Sequence, residues 1–514
     1  GDGVTLKANK VISNKTPLQY DYYDLPFCKR RRVRSRAENL GERISGDSTT
    51  TSPYELRMKK DVACMILCRK IYRKTEINFF KEVIDNDYRV HWFLDNLPVA
   101  VRNDEQQYVS RGFPIGFKST LPSNNKVQHF LFNHVRILVK YNDDDSTEAD
   151  PGSRIVGFEV VPFSIKHDYE KDGIFNKDTT SLKTCNNFNP AQYNPSNFQT
   201  IELSEEEVIF TYDVIWERSD IKWANRWDIY LKSNPNDEIH YFAIVNSLMV
   251  VLFLSAVVAM IFLRTLHKDI SSYNEMQTLE EAQEESGWKL VHGDVFRPPA
   301  FSPMLLSVLV GSGAQIIAMT LCTMVCALFG LTSPSNRGAL LTTLLLLYVF
   351  MGSFAGYFSA RIYKLCNGKE WKKNTILTAT LYPGIMATIF LLTNIFVAVS
   401  GSSTAAPFST LIALMLLWFG VSTPLVFVGS YFGFRKDTIS TPVRTNQIAR
   451  HIPEQVWYTH PAFSIALGGI LPFGAVCIEL FFVMSAIWLH HVYLVFGFLF
   501  VVFLILIITC AEIT

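Results

Sequence analysis

Seven long apolar stretches, at residues 242–263, 303–331, 338–360, 375–400, 407–433, 463–489 and 491–513, fill the second half of this 514-residue chain. Each reaches the about 20 residues that a helix needs to cross a bilayer's hydrocarbon core. The pattern predicts a polytopic membrane protein. Lys and Arg then set its orientation. The first, third and fifth loops hold thirteen of them: Arg264, Lys268, Lys289 and Arg297, then Arg361, Lys364, Lys369, Lys372 and Lys373, then Arg435, Lys436, Arg444 and Arg450. The second, fourth and sixth loops offer Arg337 alone. The positive-inside rule places the odd loops in the cytoplasm and the long N-terminal region in the lumen or outside the cell.

The formal net charge of +1 averages a polar front half and an apolar back half, so it points to no nucleic acid and no acidic partner. The expected division is a lumenal β-rich domain over 1–240 and a transmembrane helical domain over 241–514, with a cytoplasmic loop at 264–302. A translocated front half without a charged-plus-apolar leader implies a removed signal peptide. On that side of the membrane Asn14, in Asn14-Lys15-Thr16, is a glycosylation acceptor. Cys28, Cys64, Cys68 and Cys185 are an even set that permits two disulfides in three connectivities, or four buried thiols. The spacing of Cys64 and Cys68 also resembles a metal motif, but no His clusters nearby to complete it. No metal and no cofactor is expected.

Residues 88–94, 130–140, 154–162 and 207–216 are rich in β-branched and aromatic side chains, several in alternation, and turn residues such as Asp95-Asn96-Leu97-Pro98 separate them. A β-sandwich-like domain follows. The basic run from Lys29 to Arg36 reads as a solvated loop, or as a binder of an acidic glycan or lipid head group, because a lumenal position excludes nucleic acid. No nucleophile order, phosphate loop or paired carboxylates stand out. Lys222-Trp223-Ala224-Asn225-Arg226-Trp227 precedes the first span closely, and Trp223 and Trp227 are expected either to anchor the domain at the membrane interface or to fill its core.

Within the spans, Gly352/Gly356 and Gly429/Gly433 place small residues on one helix face, for packing inside the bundle or for a cargo helix. Pro383-Gly384, Pro424 and Pro472 are expected to interrupt three spans. Glu479 lies well inside the sixth, where an ionised carboxylate costs about 3 kcal/mol, so it must be protonated or paired; Gln315 and Asn394 are candidate partners, and Glu512 lies near the end of the last span. His292 beside Asp294 in the first cytoplasmic loop lacks a nucleophile and carries little chemistry.

Ordered blocks run through the whole chain: Tyr22-Tyr23-Asp24-Leu25-Pro26-Phe27-Cys28, Asn39-Leu40-Gly41-Glu42, Gly112-Phe113-Pro114-Ile115-Gly116-Phe117, Lys222-Trp223-Ala224-Asn225-Arg226-Trp227-Asp228, Gly287-Trp288-Lys289-Leu290-Val291-His292-Gly293-Asp294-Val295-Phe296-Arg297-Pro298-Pro299, Ser333-Pro334-Ser335-Asn336-Arg337-Gly338 and Ile452-Pro453-Glu454-Gln455. In these the chain resembles the nonaspanins, the transmembrane 9 superfamily or endomembrane protein 70 family. The resemblance implies an α+β membrane protein with a cleaved signal peptide, a lumenal N-terminal domain and nine spans in Golgi and endosomal membranes. The last two spans and a C-terminal retrieval signal would lie beyond Thr514. It implies a non-enzymatic role in sorting, trafficking and surface delivery of other membrane proteins, including cargo with glycine-rich transmembrane helices. The implied partners are membrane lipids, transmembrane cargo, and coat or trafficking machinery on the cytoplasmic side. A transporter or channel with a pathway near Glu479 is the alternative.

Overall fold

A computed structural model describes residues 2–103, 108–120, 127–143, 152–169, 175, 180, 182–185, 197–202, 205–231, 237–274, 296–299, 301–333, 335–442, 457, 460–488 and 496–513. The chain forms two compact units. The first is Gly1–Pro235 together with Ser333–Thr342 and Phe390–Leu411; the second is Asn236–Thr332, Thr343–Ile389 and Ile412–Thr514. Two short segments from the half expected to be purely transmembrane therefore belong with the β-rich unit.

Beyond a two-stranded sheet of Gly116–Thr120 and Val127–Leu131, that unit is built on two large sheets. One orders the strands Phe113–Pro114, Tyr88–Leu94, Gly3–Ser13, Thr49–Arg57 and Ser35–Arg36, with Tyr20–Asp21 and Leu97–Pro98 paired at its side. The other runs Val62–Arg73, Glu205–Arg218, His134–Asp143, Ser153–Phe163, Ala100–Asn103 and Tyr108–Arg111. It is mixed, since His134–Asp143 and Glu205–Arg218 run parallel. Strand alternation explains the shared core. Tyr88, Val90, Trp92 and Leu94 are buried while the residues between them are half-exposed, because successive side chains leave opposite faces of a strand. The inward aromatics of the two sheets meet: Trp92 lies 4.7 Å from Tyr54, and Tyr54 lies 5.2 Å from Tyr212.

Residues 130–140, which read as one run, form two strands, Val127–Leu131 and His134–Asp143. Asn133 breaks them. Its buried amide donates to the Ile165 and Ile209 carbonyls at 2.7 and 2.9 Å and accepts from the Ile165 N–H at 2.9 Å. A side chain thus supplies the partners that a continuous ladder would otherwise give. Helices of this unit are α1 (Leu40–Ile44), α2 (Lys74–Asp85) and α3 (Asp228–Leu231). Helix α2 buries Ile77, Phe80, Val83 and Ile84, one stripe at helical spacing.

The second unit is helical: α4 (Asp237–Asn274), α5 (Pro303–Leu328), α6 (Ala339–Phe350), α7 (Gly352–Leu365), α8 (Trp371–Val399), α9 (Phe408–Leu417), α10 (Thr423–Arg435), α11 (Pro461–Trp488) and α12 (Phe496–Ile513). Segments of α6, α8 and α9 fall in the first unit. Among the described residues, five helices are long and apolar enough to span a membrane, or six if α6 and α7 count as one bent span. The seventh stretch retains a shorter apolar helix, Leu499–Ile513. The α6–α7 bend of 40° falls at Met351, ahead of Gly352-Ser353, a pairing that kinks helices without proline.

The prolines act differently from expectation. Helix α8 continues through Pro383 and α11 through Pro472. Pro383 has no N–H for the Ala379 carbonyl one turn back, and the Trp418 indole donates to that oxygen instead, at 3.0 Å. Ahead of Pro424 the chain widens into a π-turn, Trp418–Ser422, that joins α9 to α10 without ending the span.

Candidate functional site

A polar seam gathers the first unit's two added segments. Arg337 lies 3.0 Å from Glu42 and 2.9 Å from Asp47, with its guanidinium 4.3 Å from the Phe93 ring centroid. Asn39, the cap of α1, accepts from the Glu42 N–H at 3.0 Å and donates to the Arg337 carbonyl, while the Gly41 N–H donates to Thr342 at 2.9 Å. Gly338 sits at φ +69°, where an added Cβ would strike the Asn39 side chain. On the other segment, Lys10 is 2 % exposed and donates to the Ser403 carbonyl at 2.9 Å. Ser402 donates to the Gln19 carbonyl at 3.0 Å, and the Ser403 N–H does the same at the same distance. Burial pushes the Lys10 ammonium below its ordinary range, against the pull of Asp47, Asp21 and Asp24. Burial also raises the Glu42 and Asp21 carboxyls, against the cations Arg337 and Lys10 respectively.

A second buried network lies deeper. His134 bridges Thr211, at 2.7 Å, and Asp213, at 3.2 Å, while Arg136 reaches Asp213 at 3.2 Å and His167 contacts Thr211 at 2.9 Å and Thr184 at 2.6 Å. Burial pushes His167 down to about 3, helped by neighbouring His134 and opposed by Asp213. Desolvation would raise Asp213, but hydrogen bonds from His134 and the Cys64 N–H, with Arg136 nearby, hold it below its usual value. Beside this network Cys64 is bonded to Cys185, and Cys28 to Cys68. The metal-like spacing of Cys64 and Cys68 is thus divided between two disulfides. Closing loops of 40 and 121 residues restricts the unfolded chain by about 4 and about 5 kcal/mol in the chain-entropy account.

Of the aromatic segment, Trp227 packs half-buried against the domain core and Tyr230 donates to the Pro98 carbonyl at 2.6 Å. Arg226 is buried on Asp95 at 2.6 Å, and Trp223 stays 46 % exposed with Arg226 and Arg154 over its ring. A cavity of about 450 Å³ is bordered by Asp220, Lys222, Asn225 and Asp228. Asn14 is exposed.

In the second unit both glycine pairs are spent on one another's helix. Gly352 faces Ser422 and Val426, Gly356 faces the Val426 carbonyl and Ser430, Gly429 faces the Ser353 carbonyl, and Gly433 faces Ala360 and Tyr357. The backbones of α7 and α10 approach so closely that a Cβ at Gly356 or Gly429 would overlap a carbonyl oxygen. These faces are therefore closed to a cargo helix. On α7's other side Ser359 joins Asn374, at 3.0 Å, and Thr378, at 2.8 Å, and Asn374 accepts from Ser307 at 2.8 Å, a wholly buried polar seam across α5, α7 and α8. Glu479 is 2 % exposed on α11, one turn from Ala475, whose carbonyl accepts from Ser247 of α4 at 2.6 Å. Ala475 packs with Val251 and Ile505. Of the residues suggested beside Glu479, Gln315 donates to the Tyr348 carbonyl at 2.7 Å, while Asn394, in the first unit's segment Phe390–Leu411, accepts from the Ala406 N–H at 2.7 Å. Glu512 accepts from Ser255. His292 and Asp294 lie outside the described residues.

A family model described as endomembrane protein 70 matches residues 19–514. The chain belongs to that family. Transmembrane 9 superfamily member 9 of Arabidopsis thaliana is 50% identical over 100% of this chain and 80% of its own length. Transmembrane 9 superfamily member 4 of Homo sapiens is 44% identical over the same shares. Member 2 of Homo sapiens is 43% identical, over 99% of this chain and 78% of its own. No solved structure matches.

For this transmembrane 9 chain, sequence reasoning missed the Lys10 and Arg337 seam and the Asn374 network. Arg337 carried a usable signal, as the lone cation of the even loops: a charge that breaks the topology rule has a local partner. Lys10 and Asn374 carried none, since their burial depends on segments hundreds of residues away or on three converging helices.

Proposed function

We propose that this chain is a non-enzymatic multispanning protein of Golgi and endosomal membranes that sorts and delivers other membrane proteins, with its N-terminal β-rich unit in the lumen. The observation that carries the reading is that the first unit's reactive-looking groups are used as structure. Thr211, His134 and Asp213 lie in the order of a hydrolytic triad, yet all three are buried, and Thr211 and Asp213 are bonded also to His167 and to the Cys64 N–H. A nucleophile needs an open face toward its substrate. What such a domain offers is surface shape, and the exposed Trp223, set between Arg154 and Arg226, is the feature of it most suited to a membrane-proximal partner or to the interface itself.

Because the glycine faces are closed, recognition of cargo is assigned to the first unit rather than to them. Capture of the tagged chain in gentle detergent should retain a defined set of membrane proteins whose surface levels fall when the chain is removed. Capture of no such set, with surface levels unchanged, refutes the reading. A second reading, solute transport, is favoured by one observation, the buried Glu479 on α11. It requires ion or solute flux in proteoliposomes that Glu479→Gln abolishes.

A further inference from the structure

The C-terminus of α7 and the N-terminus of α8, joined by a short turn, meet the C-terminus of α10, distant in sequence, in the second unit. Lys364 donates to the Phe434 and Lys436 carbonyls at 3.0 and 2.6 Å, and Arg361 donates to the Asp437 carbonyl. These two cations cap the negative end of α10. Tyr363 and Trp371 both lie against Phe434, with ring centroids 6.4 and 6.5 Å away. The connecting turn is fixed as well: Asn367 is left-handed at φ +57°, the Gly368 N–H donates to the Tyr363 carbonyl at 3.0 Å, and the Trp371 N–H to the Lys369 carbonyl at 3.1 Å.

Residues 361–373 and 435–437 carry seven cations and two carboxylates. Arg361 and Lys364 are half-buried and committed to carbonyls, whereas Lys369, Lys372, Lys373 and Lys436 are exposed. Lys372 lies 5.6 Å from the Trp371 ring and Lys436 lies 5.5 Å from that of Tyr357. Lys373 is 3.5 Å from Glu370, an exposed pair of little strength. The positive-inside rule asks only that a loop contain cations. It does not ask for a hydrogen-bonded turn and cross-helix hydrogen bonds that bring cations from two loops to one cluster of helix ends.

We propose that Lys369, Lys372, Lys373 and Lys436 form a binding site for the headgroup of a multiply phosphorylated inositol lipid. Several phosphates in one headgroup can engage several ammonium groups at once, which a singly charged headgroup cannot. The fixed turn lowers the ordering cost of that engagement. Trp371 and the exposed Ile376 on the following turn offer apolar surface to the acyl chains at the depth where aromatic residues favour the interface. This inference goes beyond the sorting reading and does not depend on it.

The test uses the full chain in detergent, incubated with equimolar phosphatidylcholine, phosphatidylserine and a bisphosphorylated phosphatidylinositol, then repurified, with retained lipids quantified. The expected result is at least tenfold enrichment of the inositol lipid over phosphatidylserine. In K369Q/K372Q/K373Q its binding should weaken on the order of a hundredfold, since each lysine near a membrane surface contributes about a fivefold factor. The thermal stability of this variant should be unchanged, because its three sites are exposed. Equal retention of the two anionic lipids, or an equal loss in R264Q/K268Q on α4, would reduce the site to diffuse charge and overturn the proposal. Full competition by the soluble inositol phosphate headgroup at equal concentration would overturn its assignment to a lipid.

Discussion

Arg337 and Glu42 form a pair in which each residue makes the other tolerable. The Glu42 carboxylate is nearly inaccessible, and Arg337 is its nearest cation at 3.0 Å. Removing one member of a buried pair costs more than removing both, because a charge is left without compensation. Arg337→Ala is therefore expected to destabilise the first unit by about 3 kcal/mol or more, and adding Glu42→Gln should recover much of that loss. Denaturant unfolding in detergent checks both. A fully additive double mutant would show that the pair is not coupled. His167 makes a separate prediction. Its folded pKa of about 3 lies below the ordinary 6.5, so the unfolded chain binds the extra proton as pH falls below 6.5. Stability is then lost on acidification, by up to about 1.4 kcal/mol per pH unit. The lowered Asp213 works in the same direction below its ordinary value of 3.8. The raised Glu42 and Asp21 oppose it just above their ordinary values of 4.5 and 3.8. Thermal melts at pH 7, 6 and 5.5 should fall in order, and His167→Gln should flatten the series.

At the scale of elements, Trp418 and Pro383 should be energetically coupled. Trp418→Phe leaves the Ala379 carbonyl without the indole donor and is expected to cost about 1 kcal/mol, typical of one hydrogen bond. Pro383→Ala restores the N–H that the helix itself would use, so Trp418→Phe should cost little in that background. A double-mutant cycle measured by thermal unfolding in detergent reads the difference directly. Glycines sort in the same way. Gly356→Ala should split α7 from α10 and destabilise strongly, whereas Gly420→Ala meets nothing within 4 Å and should be tolerated. These elements also show what was legible in advance. Long apolar runs announced the helices, because a span's composition is set by its solvent and not by its partners. Tyr88–Leu94 was legible because one face is buried and its alternation survives in the sequence. The strand Gly3–Ser13 was not, since Lys7, Asn9 and Lys10 mask it, the last two are buried, and Lys10 meets its acceptor in a distant segment. The bend at Met351 involves no proline and carries no strong signal in the sequence, and α8 stays continuous at Pro383 because a distant indole satisfies the carbonyl that the proline frees, a contact that local sequence does not announce.

At the scale of the whole molecule, the first unit is discontinuous in sequence, and this has a thermodynamic consequence. Ser333–Thr342 and Phe390–Leu411 supply Arg337 to Glu42 and Asp47, Thr342 to the Gly41 N–H, and the Ser403 carbonyl to Lys10. A fragment comprising residues 1–235 retains the strands of every sheet and both disulfides but loses every one of these partners. Its Glu42 would then lose its cation and either face solvent through local opening or stay buried without it, while Lys10 keeps Asp21, Asp24 and Asp47 but loses its carbonyl acceptor, together a cost of several kcal/mol. The fragment is expected to be markedly less stable than the same residues within the full chain. Grafting 333–342 and 390–411 onto it through flexible linkers should restore most of the difference, because loop closure costs only slowly more as a linker lengthens. Hydrogen exchange at the backbone amides of residues 5–11 and 39–47 reports it locally: fast in the fragment, slow in the full chain and slow again in the graft. Equal protection in all three would show that the two segments are passengers and that the β-rich unit folds without them. Slow exchange restored only by the graft would make these segments part of the unit's fold, although they lie among the membrane helices in sequence.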